Sequence, residues 1–348
     1  MTNQSIAHDE PTTNPITQAP EPLGPVPAPS PHQAGGIPDP PLSAACIGKP
    51  QKGGSVFDAV TERIIALLEE GTAPWRADWV RAANKPVSLS TGKPYRGINR
   101  FLLSMISQMV GYSSPHWLTF NQVRERGGTV RKGEKGCPCF FWKVYRGNAG
   151  ASDSEGVDSD DNKRFVARYY TVFNVGQCDG LDYPSPIVPD PATSGVTPIE
   201  KAEQIVSGYQ GPALETSGLQ PRYVPPTDTV VMPSREMFFN PEGYYAALFH
   251  ELIHSTGIKG RLDRKLDSPA PFGSPDYSRE ELVAELGASF LCTEAGIAPA
   301  VIENQAAYLA GWLQVLRADK RAIVVAAAQA EKAADYILGL KDVPVTDG

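Results

Sequence analysis

Histidine and cysteine are scarce in this chain, five of each in 348 residues. The cysteines, Cys46, Cys137, Cys139, Cys178 and Cys292, form no C-x-x-C pair, which excludes a thiolate metal site of that kind, and they are too few and too irregular for a disulfide framework. A reducing cytoplasm is therefore the expected home. There is no run of about 18 apolar residues, so no membrane-spanning helix is expected. The polar, acidic start MTNQSIAHDE also lacks the charged-then-apolar layout of a signal peptide, which disfavours a secreted protease. Nor is there a general cationic excess: the net charge is −7, which argues against an indiscriminate nucleic-acid binder.

Two of the few histidines stand together in LFHELIHSTG, 248–257. His250, Glu251 and His254 have the H-E-x-x-H spacing. On a helix, residues four apart share a face, so both imidazoles can reach one metal ion while Glu251 points at its open position. The apolar Leu248, Phe249, Leu252 and Ile253 suit a helix buried at the floor of a cleft, expected over about 241–255 with Gly257 as its stop. The competing reading is a buried helix whose histidines only hydrogen-bond. Zinc takes three protein ligands in catalytic sites, and no histidine follows His254, so a carboxylate must complete the set. YSREELVAELGASFLCTEAG, 277–296, offers Glu281 and Glu285 one helical turn apart. Glu281 is the preferred ligand, with Glu285 as the residue that orients a histidine ring or as the alternative ligand. Against Glu281 stands a possible capping box with Ser278, which would use its carboxylate on the backbone. A site built this way would activate a water for attack on a carbonyl, with Glu251 as general base and later as proton donor to the leaving amine. Tyr277, Tyr245 and Arg261 are nearby candidates for an oxyanion donor.

The charge is not evenly spread. Between Ser55 and Arg146, fourteen Lys or Arg face seven Asp or Glu, leaving about −14 for the remainder. Residues 1–53 are rich in Pro, Ala, Ser and Gly, cannot form a core and read as a disordered tail. An amphipathic helix follows in SVFDAVTERIIALLEEG, then a loop-rich passage, and helices over about 99–110 and 119–126. A basic turn, TVRKGEKG, leads into a strand-like CFFWKVYR, and FVARYYTVFNV returns as its partner after an acidic insert, 148–162. Trp75, Arg76, Trp79, Lys93, Tyr95, Arg96, Arg100, Arg131, Lys132 and Lys135 interleave cations with aromatics. That is how single-stranded nucleic acid is held, by cations on phosphates and aromatic faces under bases. The same region contains Trp117 and Trp142, and tryptophans that are simply core, beside a solvated cationic face, explain its composition equally well. No helix suited to reading base sequence is evident.

VTERIIALLEEGTAPWRADW, STGKPYRGINRFLL, WLTFNQVRERGGTVRKGEKG and YYTVFNVGQC together resemble the N-terminal domain of the ArdC family of antirestriction proteins, which is also similar to the N-terminal part of plasmid TraC primases. The resemblance covers about 56–181, and HELIHSTG in the second half is the pairing that family shows. It implies single-stranded-DNA binding and protection of incoming plasmid or phage DNA against restriction. The E-x-x-x-E layout at Glu281 and Glu285 is similar to the glutamate-zincin pattern. The expected architecture is α+β in two domains: an α+β DNA-binding domain, 54–182, a linker, 183–198, and a mainly helical zincin-like metallopeptidase domain with a small edge sheet, 199–342. The Pro-bounded stretch 221–233 supplies an edge strand or two, and 306–340 two packing helices with Trp312 in the core. Zinc is the expected metal and single-stranded DNA the expected partner, with a protein substrate possible and no membrane. Two other readings remain: a DNA-binding protein whose metal domain is structural or silent, and a protease whose basic domain recruits a protein.

Overall fold

The computed structural model describes residues 56–71, 73–74, 85–146, 156–159, 163–184, 197–266, 270–271, 273–297 and 305–340. The tail 1–53, most of the acidic insert, most of the linker and the candidate residues Trp75, Arg76 and Trp79 lie outside the described residues.

The first half follows the apolar patterning of its sequence. Val60, Ile64, Leu67 and Leu68 form the buried stripe of α1 (Val56–Glu69), which ends where Gly71 takes a positive φ of 79°. β1 (Val87–Ser88) leads to α2 (Gly97–Val110), closed by Gly111 in the left-handed conformation. β2 (His116–Thr119) runs into the short α3 (Phe120–Glu125), where Thr119 and Gln122 form a capping box. After β3 (Thr129–Val130), the strand β4 (Cys137–Arg146) pairs antiparallel with β6 (Lys163–Asn174), in register from Cys137 opposite Val172 to Arg146 opposite Lys163. The acidic insert is thus the excursion between two paired strands, and a piece of it, β5 (Gly156–Ser159), pairs with β6 as well. The sheet runs β1-β2-β6-β4, and β7 (Cys178–Asp179) pairs with β3.

The second half opens with α4 (Pro198–Gly208), capped by Thr197. A three-stranded sheet follows, in the order β8 (Ala213–Thr216), β10 (Thr229–Met232), β9 (Arg222–Val224). β9, flanked by Pro221 and Pro225, lies at an edge, but β10 is central. Pro225 begins the turn before it and Pro233 follows it, so β10 itself keeps every N–H and pairs on both sides. Among the described residues four helices follow: α5 (Pro241–Ser255), α6 (Pro275–Ala295), α7 (Gln305–Ala318) and α8 (Ala322–Ile337).

The architecture is α+β. All described residues fall in one compact unit, and one buried cluster takes Phe101, Leu102, Ile106 and Trp117 from the first half and Phe249, Ile253, Leu286, Trp312 and Ile323 from the second. α1 meets the C-terminal helices through Thr61, whose hydroxyl donates to the Lys320 carbonyl at 2.6 Å, and through the Arg317–Glu69 ion pair at 2.5 Å. No described helix is long and apolar enough to cross a membrane.

Candidate metal centre

α5 and α6 supply every group of the site. Asn240 caps α5 by accepting from the Gly243 N–H at 2.8 Å, and Pro241 follows in the first turn, where its missing N–H costs nothing. α6 is capped by Ser274, which accepts from the Tyr277 N–H at 3.2 Å. Ser278 is therefore a buried helix-interior residue, not a cap, and the capping-box use of Glu281 falls away. The two helices approach closely because Gly287 has no side chain. A Cβ there would lie 2.6 Å from Ile253 Cδ1 and 2.8 Å from its Cγ1.

This approach sets the α6 carboxylates against the α5 imidazoles. His250 Nε2 and His254 Nε2 are 3.1 Å apart; Glu281 Oε2 is 3.4 Å from His250 Nε2, and its Oε1 3.6 Å from His254 Nε2. The three donor atoms all lie within 4.8 Å of one another. Ligand atoms held at about 2.0–2.2 Å around a tetrahedral ion stand roughly 3.4 Å apart, so this spacing fits one divalent metal. The outward nitrogens also face carboxylates. His254 Nδ1 is 3.2 Å from Glu280 Oε1, whereas His250 Nδ1 is 3.6 Å from Glu285 Oε1 and has no hydrogen-bond partner among the described residues. Glu251 is buried beside this cluster at the next position along α5.

Electrostatics follow from this crowding. Burial opposes charge on His250, but the Glu281 carboxylate, aided by Glu251 and Glu285, raises its imidazole to about 9. Burial likewise opposes charge on Glu281, and hydrogen bonding from His250 with the two histidine charges lowers it to about 2. Tyr277 also hydrogen-bonds Glu281. The other two oxyanion candidates are engaged elsewhere: Tyr245 donates to Glu203 at 2.7 Å, and Arg261 grips Asp228 at 2.6 and 2.8 Å.

The candidate DNA residues separate into two groups. Lys93, Arg131, Lys132 and Lys135 are exposed. Arg131 is tied to Glu134 at 3.1 Å and Asp179 at 3.4 Å, which holds the basic turn in place. Tyr95, Arg96 and Arg100 turn inward, contrary to a role on the DNA face. Tyr95 packs on the core, and burial raises its phenol far above the ordinary range. Arg96 bonds Asp335 and lies 3.8 Å from Glu331. Arg100, 5 % exposed, reaches Glu294 at 3.1 Å, Glu331 at 3.5 Å and the Phe290 carbonyl at 3.2 Å. A helix residue read only by its charge gave no sign of these distant partners. Trp117 is fully buried and belongs to the core. Sequence reasoning missed two exposed rings, Phe120 at 49 % and Tyr169 at 50 %. Phe120 packs edge-on to Phe173 at 6.3 Å, and Gly136 beside the basic turn faces Phe173. Period-two alternation along β6, with Tyr169, Thr171 and Phe173 on one face, was the available signal. It also missed Glu280, whose only sequence sign is its place next to Glu281.

Comparison with known proteins matches this geometry to a family. Residues 55–173 match the N-terminal domain of anti-restriction factor ArdC, and residues 200–329 match a zincin-like metallopeptidase domain. Protein y4eC of Sinorhizobium fredii (strain NBRC 101917 / NGR234) is 36% identical over 295 residues, covering 83% of this chain and 93% of that protein. DNA primase TraC of Escherichia coli is 34% identical over 298 residues, 82% of this chain but only 27% of the primase. Crystal structures of the antirestriction ArdC protein from plasmid R388, one metal-free and one Mn(II)-bound, are 34% identical with a TM-score of 0.64 and cover 82% of this chain. This chain spans 97% of the metal-free and 98% of the Mn(II)-bound structure. The chain belongs to the ArdC antirestriction family, with an ArdC N-terminal domain ahead of a zincin-like metallopeptidase domain.

Proposed function

We propose that this protein binds single-stranded DNA through its first half and holds zinc at His250, His254 and Glu281 in its second, and that it works in the cytoplasm to protect incoming mobile-element DNA against restriction. The observation that carries the metal reading is the convergence of two Nε2 atoms and a carboxylate at spacings of 3.1 to 3.6 Å. Zinc, when bound, would supply Lewis acidity toward a carbonyl. Glu251, buried beside the ligands, would take the proton of the attacking water and return it to the leaving amine. Burial of His250, Glu251 and Glu281, each 9% exposed or less, keeps bulk water from the site. Manganese, present in the R388 relative, is the alternative metal.

For DNA, the surface that fits is the basic turn of Arg131, Lys132 and Lys135, which Gly136 joins to the Phe173 and Phe120 rings, with Tyr169 farther along the same face of β6, giving cations for phosphates and rings for bases. Trp75, Arg76, Trp79 and Lys93 are further candidates, and Tyr95, Arg96 and Arg100 are not. Binding of an oligonucleotide and its duplex across a salt series tests this surface. The expected result is tighter single-strand binding whose salt slope falls by about 1 for each of Lys132→Ala and Lys135→Ala. Equal affinity for both DNA forms, or no salt dependence, would remove the proposal. Antirestriction itself is read from DNA transfer into restricting and non-restricting hosts, where an equal effect in both would count against it.

A further inference from the structure

We propose that Glu280, fixed by Arg264, is the positioning residue for His254. The inference rests on the metal-centre reading above and extends it to a device outside the ligand set. Glu285, one turn beyond Glu281, is the residue expected to orient a histidine, but it stands 3.6 Å from His250 Nδ1. The tighter contact is made by Glu280, whose Oε1 lies 3.2 Å from His254 Nδ1.

Glu280 is in turn clamped. Arg264 donates from Nη2 to Oε1 at 2.7 Å and from Nε to Oε2 at 3.0 Å, a two-pronged grip that fixes the plane of the carboxylate. The same guanidinium donates to Thr256 Oγ1 at 2.7 Å and to the Ile253 carbonyl at 2.8 Å, tying it to the end of the helix that carries His254. Arg264 and Glu280 are only 6% and 13% exposed, so these contacts act with little competition from water.

The backbone is built to deliver this arginine. Asp263 and Lys265, on either side of it, both hold left-handed conformations, with φ of 49° and 68°. Neither is glycine, and backbone hydrogen bonds hold the turn, from the Asp263 N–H to the Ile258 carbonyl at 3.1 Å and from the Leu266 N–H to the Gly257 carbonyl at 3.5 Å. Gly257 gives the loop room: a Cβ there would lie 2.4 Å from Leu266 Cδ1 and 3.0 Å from Arg264 Nη2. The consequence for His254 is chemical. With Nδ1–H donating to Glu280, the Nε2 lone pair points at His250 Nε2 and Glu281, the direction a metal ligand requires.

The test uses the full-length chain and zinc or cobalt(II) as the probe. Zinc affinity by chelator competition, the cobalt(II) absorption spectrum and the melting temperature of the metal-free form are measured for wild type, His254→Ala, Glu280→Gln and Glu280→Ala. The expected result is that Glu280→Ala lowers zinc affinity by about 10- to 100-fold with a shifted cobalt(II) band, and that Glu280→Gln, which keeps an acceptor, loses less. Wild-type affinity and an unchanged band in both Glu280 variants would overturn the proposal, whatever their melting temperatures. A wild type that binds no metal, or His254→Ala with undiminished binding, would instead overturn the metal-centre reading. Should neither Glu280 variant fold, Arg264→Lys, which keeps the charge and loses the fork, gives the same readout.

Discussion

Glu281 and Glu285 share one face of α6 yet meet His250 through different nitrogens. Glu281 faces the Nε2 atoms of both histidines, while Glu285 lies behind His250 at Nδ1. A ligand and a supporting residue respond differently to the same change. Glu281→Gln should lower zinc affinity by more than about 100-fold, and Glu285→Gln by about tenfold at most, as measured by chelator competition. The reverse order would make Glu285 the ligand. The H-E-x-x-H pair was legible in the sequence because its spacing is local to one helix. The Arg264–Glu280 clamp was not, because it depends on two left-handed residues that return a loop onto α6, and nothing in the run RLDRK announces them.

At the scale of elements, the site depends on how closely α5 and α6 pack. Replacing a helix-interior glycine by alanine ordinarily stabilises by about 0.5–1 kcal/mol. At Gly287 the added methyl would collide with Ile253, itself fully buried two residues after Glu251. Gly287→Ala should therefore destabilise the protein, by about 1–2 kcal/mol in urea denaturation, as overpacking does. It should also weaken metal binding by separating the helices. Greater stability with unchanged metal affinity would show that the contact relaxes freely. Helix α5 and the pairing of β4 with β6 were readable from periodicity and turn residues. β8 was not: its residues Ala213, Leu214, Glu215 and Thr216 are exposed and show no apolar alternation, and the strand exists because it pairs with β10.

Across the whole molecule, the two halves named by the family matches are joined by charge as well as by a common core. Arg100 on α2 bonds Glu294 on α6 and Glu331 on α8, stacks 4.5 Å over the Phe290 ring, and is neighboured by Arg96 with Asp335 and by Lys85 with Glu294 at 2.6 Å. Removing the arginine takes the shared cation from Glu294 and Glu331 and leaves them only Lys85 and the more distant Arg96, so Arg100→Met should cost about 2–3 kcal/mol of unfolding free energy. Adding Glu294→Gln and Glu331→Gln should recover part of it. A loss below about 1 kcal/mol would mean that the cluster is solvated, as exposed ion pairs are. A local window of sequence could not disclose this joint, since Arg96 and Arg100 find their acids in the other half of the chain. The account's central claim is one metal shared by α5 and α6. Its most direct test is the anomalous scattering at the zinc edge from a zinc-loaded crystal of the full chain. The predicted map has one strong peak about 2.0–2.2 Å from His250 Nε2, His254 Nε2 and a Glu281 oxygen. A peak bound by other residues, or no peak between these helices, would contradict it.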